Sequence, residues 1–297
     1  MKLQMFEVLL YYKFTTIEDP EFFAAEHKRF CESLGLKGRI WIASEGVNGT
    51  VSGTKEATAI YRNALANDVV FSGIEFKIDE VEGHTFKKMI VRPKKELVTW
   101  RFEYEIDPLK KTGNYLSPEE FYKAMTEEDV VIFDIRNDYE YDLGHFKNAI
   151  RAEVETSKDM PQWAAETLSQ YKDKKVLTYC TGGIRCEKFT GFLLDQGFTD
   201  VNQLHGGIIN YGKKMEGKNF EGYCYVFDER ISVPINHTEE ATVITNCQYC
   251  GTPTPKYLNC ANQECHELFL CCPECEITHK RSCSPECEKA EKHEFHS

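Results

Sequence analysis

Apolar and polar positions alternate along the chain in two rhythms, and the rhythms divide it into segments. Phe6 to Phe14 is an apolar, aromatic-rich run that reads as a first strand. From Pro20 to Leu34 the apolar residues Phe22, Phe23, Phe30 and Leu34 fall at helical spacing. Gly38 to Ala43 predicts a second strand. Glu45-Gly46-Val47-Asn48-Gly49-Thr50 predicts a turn, because Asn-Gly suits positive φ, and the turn feeds a strand at Thr50-Val51-Ser52. Thr54 to Leu65 predicts a helix with Thr54 as N-cap, followed by strands at Ile74 to Asp79 and Lys88 to Val91. This β-α-β-β-α-β order over residues 1–100 predicts a ferredoxin-like, acylphosphatase-like α+β sandwich.

Residues 101–116 are polar, carry Pro108 and Gly113, lack a period, and read as a linker. Ser117-Pro118-Glu119-Glu120 then opens a helix, with Ser117 as N-cap, Pro at the first helical position and Glu120 closing a capping box. Asp129 to Asp134 and Lys174 to Tyr179 are continuous apolar runs, which suit parallel strands covered on both faces. Residues 117–222 therefore predict a doubly wound α/β unit. Residues 223–297 are poor in large apolar side chains and rich in cysteine, and form a tail with its own logic.

The chemistry gathers where the second of those strands ends. Cys180 is followed by Thr181-Gly182-Gly183-Ile184-Arg185-Cys186 and then by helical spacing from Glu187 to Leu194. A glycine turn between strand and helix points successive backbone N–H groups at one spot, and the helix start adds partial positive charge. A thiolate there is stabilised, so Cys180 is expected to be nucleophilic at neutral pH, with Arg185 facing the same pocket. Cys186 has two readings, a resolving thiol for Cys180 or a core residue on the first helical turn. Asp134 and Arg136 end a strand nearby and either line the pocket or form an ion pair that fixes the loop. His205, before a Gly-Gly turn, reads as structural ahead of catalytic.

The tail pairs its cysteines as Cys247-x2-Cys250, Cys260-x4-Cys265, Cys272-x2-Cys275 and Cys283-x3-Cys287. Four thiolates close one tetrahedral site, so four pairs predict two structural zinc ions ahead of an iron–sulfur cluster; alternate pairs sharing an ion is one arrangement, and the pairing stays open at the level of sequence. Cys271 is left over, and His266, His279, His293 and His296 are candidate substitutes. The ions would hold together a segment too poor in apolar residues to fold alone.

Composition narrows the classes. No stretch approaches a membrane span, and the first ten residues carry a charge and lack a small-residue cleavage site, so a strand is expected in place of a signal peptide. The expected setting is the cytoplasm, with the 13 cysteines as thiols or metal ligands and no disulfides. A net charge of −12 argues against a general nucleic-acid binder. The one basic strip is Lys87, Lys88, Arg92, Lys94 and Lys95, between Phe86 and Trp100. It reads either as an RNA-facing strip, with the rings available for stacking, or as a guarded sheet edge. No flavin or nicotinamide motif is visible.

Cysteine phosphatases use a loop one residue longer than Cys180 to Arg185, whereas the shorter loop resembles that of rhodanese domains. Asp134-Ile135-Arg136, Glu140, Gly144-His145-Phe146-Lys147-Asn148-Ala149 and Leu204-His205-Gly206-Gly207-Ile208 resemble further rhodanese signatures, over residues 115–222. The full order, with Glu45-Gly46-Val47-Asn48-Gly49-Thr50, Arg136-Asn137-Asp138-Tyr139-Glu140, Gly206-Gly207-Ile208-Ile209-Asn210-Tyr211 and Asn259-Cys260-Ala261, resembles the tRNA uridine hydroxylases. The resemblance implies tRNA as partner, molecular oxygen as co-substrate, 5-hydroxyuridine at the wobble position as product, and Cys180 as the essential cysteine. The competing expectation is a sulfurtransferase carrying a persulfide on Cys180. The sequence leaves oligomeric state, the tRNAs used and the electron source open.

Overall fold

The computed structural model describes residues 5–295, so the start of the N-terminal run and His296 lie outside the described residues. The first unit contains β1 (Phe6–Phe14), α1 (Pro20–Ser33), β2 (Lys37–Ala43), β3 (Gly46–Thr54), α2 (Lys55–Asn67), β4 (Glu75–Val81) and β5 (Met89–Pro93). The sheet order is β4-β1-β3-β2-β5, the expected ferredoxin-like order with β5 added in parallel beside β2. Strand alternation divides the side chains between two faces. Leu9, Tyr11, Ile40, Ile42, Val47 and Val51 pack under the two helices. Their neighbours Leu10, Tyr12, Trp41, Asn48 and Thr50 point the other way.

The turn expected over residues 45–50 is shorter and earlier. The chain reverses at Ser44-Glu45, Gly46 takes φ +139, and Asn48-Gly49 run inside β3. A Cβ on Gly49 would run into the Tyr11 ring, so this glycine serves packing across the sheet and not a turn.

The second unit has β6 (Asn114–Leu116), α3 (Pro118–Glu127), β7 (Val130–Asp134), α4 (Asp138–Leu143), β8 (Gly144–Phe146), α5 (Met160–Thr167), β9 (Lys175–Tyr179), α6 (Ile184–Asp195), β10 (Asp200–Leu204), α7 (Gly207–Met215), β11 (Phe220–Tyr225) and β12 (Ser232–Pro234). Its main sheet, β6-β10-β9-β7, is parallel throughout. Val176 and Phe133 face one core with Phe189 and Leu193; Leu177 and Ile132 face another with Phe121 and Ile208. That double burial explains the unbroken apolar runs. β6 lies inside the segment read as a linker; it is too short for periodicity to reveal. The α3 start carries the expected capping box.

The tail is built on β13 (Tyr257–Asn259), β14 (Leu268–Leu270), α8 (Pro273–Thr278) and α9 (Pro285–Glu288). Its interior consists mostly of cysteines with Leu258 and Phe269. Among the described residues, no helix is long and apolar enough to cross a membrane.

Candidate active site and metal centres

Cys180 sits one residue past β9, at the carboxyl edge of the parallel sheet, where such sheets gather functional groups. Gly183, at φ +104, completes the turn, so α6 begins at Ile184, three residues earlier than the apolar spacing implied. Arg185 and Cys186 thereby fall on its first turn. The Gly183 N–H donates to Cys180 Sγ at 3.1 Å. Burial pushes the Cys180 thiol up. The Cys186 S–H, the Arg185 charge and the backbone N–H groups of Arg185 and Gly183 more than offset it, bringing the thiol to about 6. Cys186 is driven the opposite way by burial and by the neighbouring thiolate. Cys186 thus belongs to the core, as one reading held, and also donates to Cys180.

Arg185 does not reach freely into the cavity. Its guanidinium makes a two-pronged pair with Glu140 at 2.6 and 2.7 Å and a bond to Thr181 Oγ1 at 3.2 Å. Burial opposes ionisation of Glu140, but Arg185 holds its carboxyl below the usual range. The Glu140 carboxylate also accepts from the Asn137 N–H at the start of α4. So α4, a loop-borne threonine and the first turn of α6 are tied together beneath the cysteine.

Asp134 and Arg136 are fully buried and form an ion pair, with Arg136 Nη2 at 2.6 Å from Asp134 Oδ2 and from the Gly144 carbonyl. They do not line the cavity. His205 is half-exposed, 3.3 Å from Glu75, and stands in a separate cleft with Tyr115 and Glu187.

The cavity at Cys180 has a volume of about 350 Å³, in the range of small-ligand sites. Thr181, Gly182, Ile184 and Arg185 line one wall. The facing wall is the helix-free side of the N-terminal sheet, in two cross-strand rows: Leu10–Thr50–Arg39 and Tyr12–Asn48–Trp41. Phe86 and Phe227 close the sides. A Cβ on Gly182 would meet Leu10 at 3.0 Å, and one on Gly183 would meet the Tyr12 hydroxyl at 2.9 Å. Both glycines are therefore needed for the sheet to approach as well as for the turn. Tyr12 donates to Glu187 at 2.7 Å and Lys188 pairs with Glu45 at 2.5 Å, which locks the two walls. Sequence reasoning missed Leu10, Tyr12, Trp41 and Asn48. The available signal was their apolar or aromatic character on the strand face turned away from the helices.

Lys87, Lys88, Arg92, Lys94 and Lys95 are all exposed along edge strand β5 and its flanks. Phe86 and Trp100, which bracket them, are buried, so their rings are not available for base stacking. Phe86 packs at the cavity, and Trp100 packs against Phe189.

In the tail the four pairs interleave. Cys247, Cys250, Cys272 and Cys275 converge in one group, and Cys260, Cys265, Cys283 and Cys287 in another, with sulfurs within 4.8 Å of one another. The Cys250–Cys272 and Cys265–Cys283 sulfurs are both 3.6 Å apart. A tetrahedron with metal–sulfur bonds of about 2.3 Å has edges of about 3.8 Å, so both donor sets fit a single four-coordinate ion. Cys271 is buried outside both groups. His279 stacks on Tyr249, and His293 bonds to Ser282. His266 joins neither group.

A thiolate cradled by backbone N–H groups at the end of a doubly wound sheet defines a rhodanese-type cysteine-loop protein, here capped by an acylphosphatase-like sheet. Residues 117–214 match the description "Rhodanese-like domain", residues 6–97 "UPF0176 acylphosphatase like domain" and residues 221–288 "Rhodanase C-terminal". The chain is 54% identical over 279 residues to the tRNA uridine(34) hydroxylase of Bacillus cytotoxicus, covering 93% of this chain and 86% of that one. It is 55% identical to the same enzyme of Bacillus cereus, covering 93% and 87%. A solved rhodanese-like domain from Anabaena aligns at 22% identity and a TM-score of 0.32, over 37% of this chain and 80% of that one. The chain belongs to the tRNA uridine(34) hydroxylase family.

Proposed function

We propose that this protein hydroxylates the wobble uridine, position 34, of tRNA at C5, giving 5-hydroxyuridine, with molecular oxygen as co-substrate. The observation that carries the reading is the depressed Cys180 thiol facing a cavity in the size range of one nucleoside, in a chain so similar to hydroxylases of that name. A thiolate adding to C6 of uracil makes C5 electron-rich and open to oxidation. One oxygen atom enters at C5 and the other leaves as water, at the expense of a two-electron reductant and two protons; loss of the C5 proton then restores the double bond, breaks the C6–S bond and returns the Cys180 thiolate. Cys180 is the nucleophile. Arg185, itself neutralised by Glu140, steadies the loop of Thr181, Gly182, Gly183 and Ile184 and favours the thiolate. Asp134 and Arg136 support that loop from below.

The same reading divides the chain into a substrate-covering unit (residues 1–100), a connector (101–116) whose end supplies β6 to the next unit, a catalytic unit (117–222) and a metal-bound tail (223–297) whose first residues complete β11 and β12 of the catalytic unit, working in the cytoplasm. Zinc is the ion for both tail sites. The short sulfur–sulfur distances suit one ion per group, whereas a cuboidal iron–sulfur cluster holds its cysteines farther apart.

The test is nucleoside mass spectrometry of tRNA from cells lacking the protein, complemented with wild type or Cys180→Ala. Loss of 5-hydroxyuridine derivatives, restored by wild type alone, is expected. An unchanged hydroxyuridine pool with a missing thiolated nucleoside, together with cyanide-releasable sulfur on Cys180, would instead establish persulfide transfer.

A further inference from the structure

We infer that Trp41, with Arg39, Arg92 and Lys94, forms a docking platform for the nucleotide next to the target uridine, at the mouth of the Cys180 cavity. This rests on the tRNA reading above and extends it to residues outside the cysteine loop. Four observations carry it.

Trp41 lies on β2 with its side chain on the helix-free face, paired across the sheet with Asn48 on one side and Arg92 on the other. It lines the cavity that holds Cys180 yet stays half-exposed, unlike Phe86 and Trp100. Two cations already stand by its ring, Lys94 Nζ at 4.8 Å and Arg39 Cζ at 5.9 Å from the centroid. Arg39, Arg92 and Lys94 join none of the ion pairs among the described residues, whereas Lys188 at the inner wall is neutralised by Glu45 and Lys87 approaches Glu229. In a chain of net charge −12, three cations without carboxylate partners thus gather around one half-exposed indole.

An indole flanked by free cations matches what a single-stranded nucleotide offers. The base has a π-face to stack, and its phosphates take guanidinium and ammonium groups. A uridine turned into the cavity leaves its neighbour outside, beside Trp41. The cations do not read sequence, because phosphate contacts position and base contacts specify. The platform therefore sets how tightly the anticodon loop is held, while the cavity selects the base.

The experiment measures binding of a substrate tRNA carrying an unmodified wobble uridine to the full-length protein, by fluorescence anisotropy over a series of salt concentrations, alongside hydroxylation of the same tRNA. Trp41→Ala is expected to weaken binding about tenfold or more, and Trp41→Phe to recover most of it, since a ring of any kind stacks. Arg39→Gln and Lys94→Gln are each expected to lower the magnitude of the log–log salt slope by about 0.7. Wild-type affinity in Trp41→Ala, with hydroxylation intact, overturns the platform and leaves the hydroxylase reading standing. Should Trp41→Ala fail to fold, unchanged salt slopes in both cation variants overturn it equally. A wild-type protein that binds no tRNA, or binds it without hydroxylating, overturns the reading on which the platform rests.

Discussion

At the scale of single residues, the site turns on the opposed behaviour of two neighbouring thiols. Cys180 and Cys186 are both buried, and burial alone would keep both protonated. The first is nevertheless a thiolate near neutrality because it collects donors: two backbone N–H groups, the Cys186 S–H and the field of Arg185. A lowered thiol pKa means that reactivity persists as pH falls, until the folded-state value near 6 is crossed. The rate of alkylation by iodoacetamide, followed by mass spectrometry of the Cys180 peptide, should therefore rise through about pH 6 and level off above it. Cys186→Ala removes one donor, so its midpoint should move upward, toward the ordinary thiol value of about 8.5. A wild-type midpoint already at that value, or an unmoved midpoint in Cys186→Ala, would show that the donors do not act on Cys180. The cysteine was legible in the sequence because strand, Gly-Gly and helix are local signals. The anchoring of Arg185 by Glu140 was not, because that two-pronged pair joins positions 45 apart.

At the scale of elements, local chemistry announced the starts better than the ends and connections. Thr54 and Ser117 cap their helices as read. Asn48-Gly49 misled because the same dipeptide that makes a hairpin also fits a strand where the Tyr11 ring must lie close. The tail shows a third case, in which spacing gave the four cysteine pairs but left open which pairs come together. Interleaving of the four cysteine pairs means that an ion in the first group would tie the loop at Cys247–Cys250 to α8, and one in the second would tie the β13–β14 connection to α9. The tail also touches the catalytic unit, through Tyr257, which donates to the Tyr139 carbonyl at 3.3 Å, one residue from Glu140. Cys250→Ser should lower the metal content measured by plasma mass spectrometry from two ions per chain to one, whereas Cys271→Ser should retain both. Retention of two ions by Cys250→Ser, or loss by Cys271→Ser, would require a different ligand set. Chelation should increase hydrogen exchange across the tail, because metal binding supplies folding free energy that so small an apolar core does not.

At the scale of the whole molecule, the candidate active site is an interface. The cysteine loop supplies one wall and a sheet some 170 residues earlier supplies the other, a separation no local pattern encodes. What makes the two a unit is a short set of polar contacts, foremost Lys188 with Glu45, whose second oxygen accepts from the Leu97 N–H at 2.7 Å. Lys188 is 7% exposed and Glu45 23%. Removing one partner of a largely buried pair strands the other charge, at a cost of about 3–5 kcal/mol. Glu45→Gln should fall near the lower end of that range, because Glu45 keeps some access to water. Replacing both partners by neutral groups removes the stranded charge, so Glu45→Gln combined with Lys188→Met should be more stable to urea than Glu45→Gln alone. Hydroxylation of tRNA should remain depressed in both variants, since the walls lose register, while the pH midpoint of Cys180 alkylation stays in place, because the donors to its sulfur all come from the loop and α6. A double variant no more stable than the single one would mean that the pair does not hold the walls together. An alkylation midpoint displaced in both would mean that the N-terminal sheet tunes the thiolate as well as covering it.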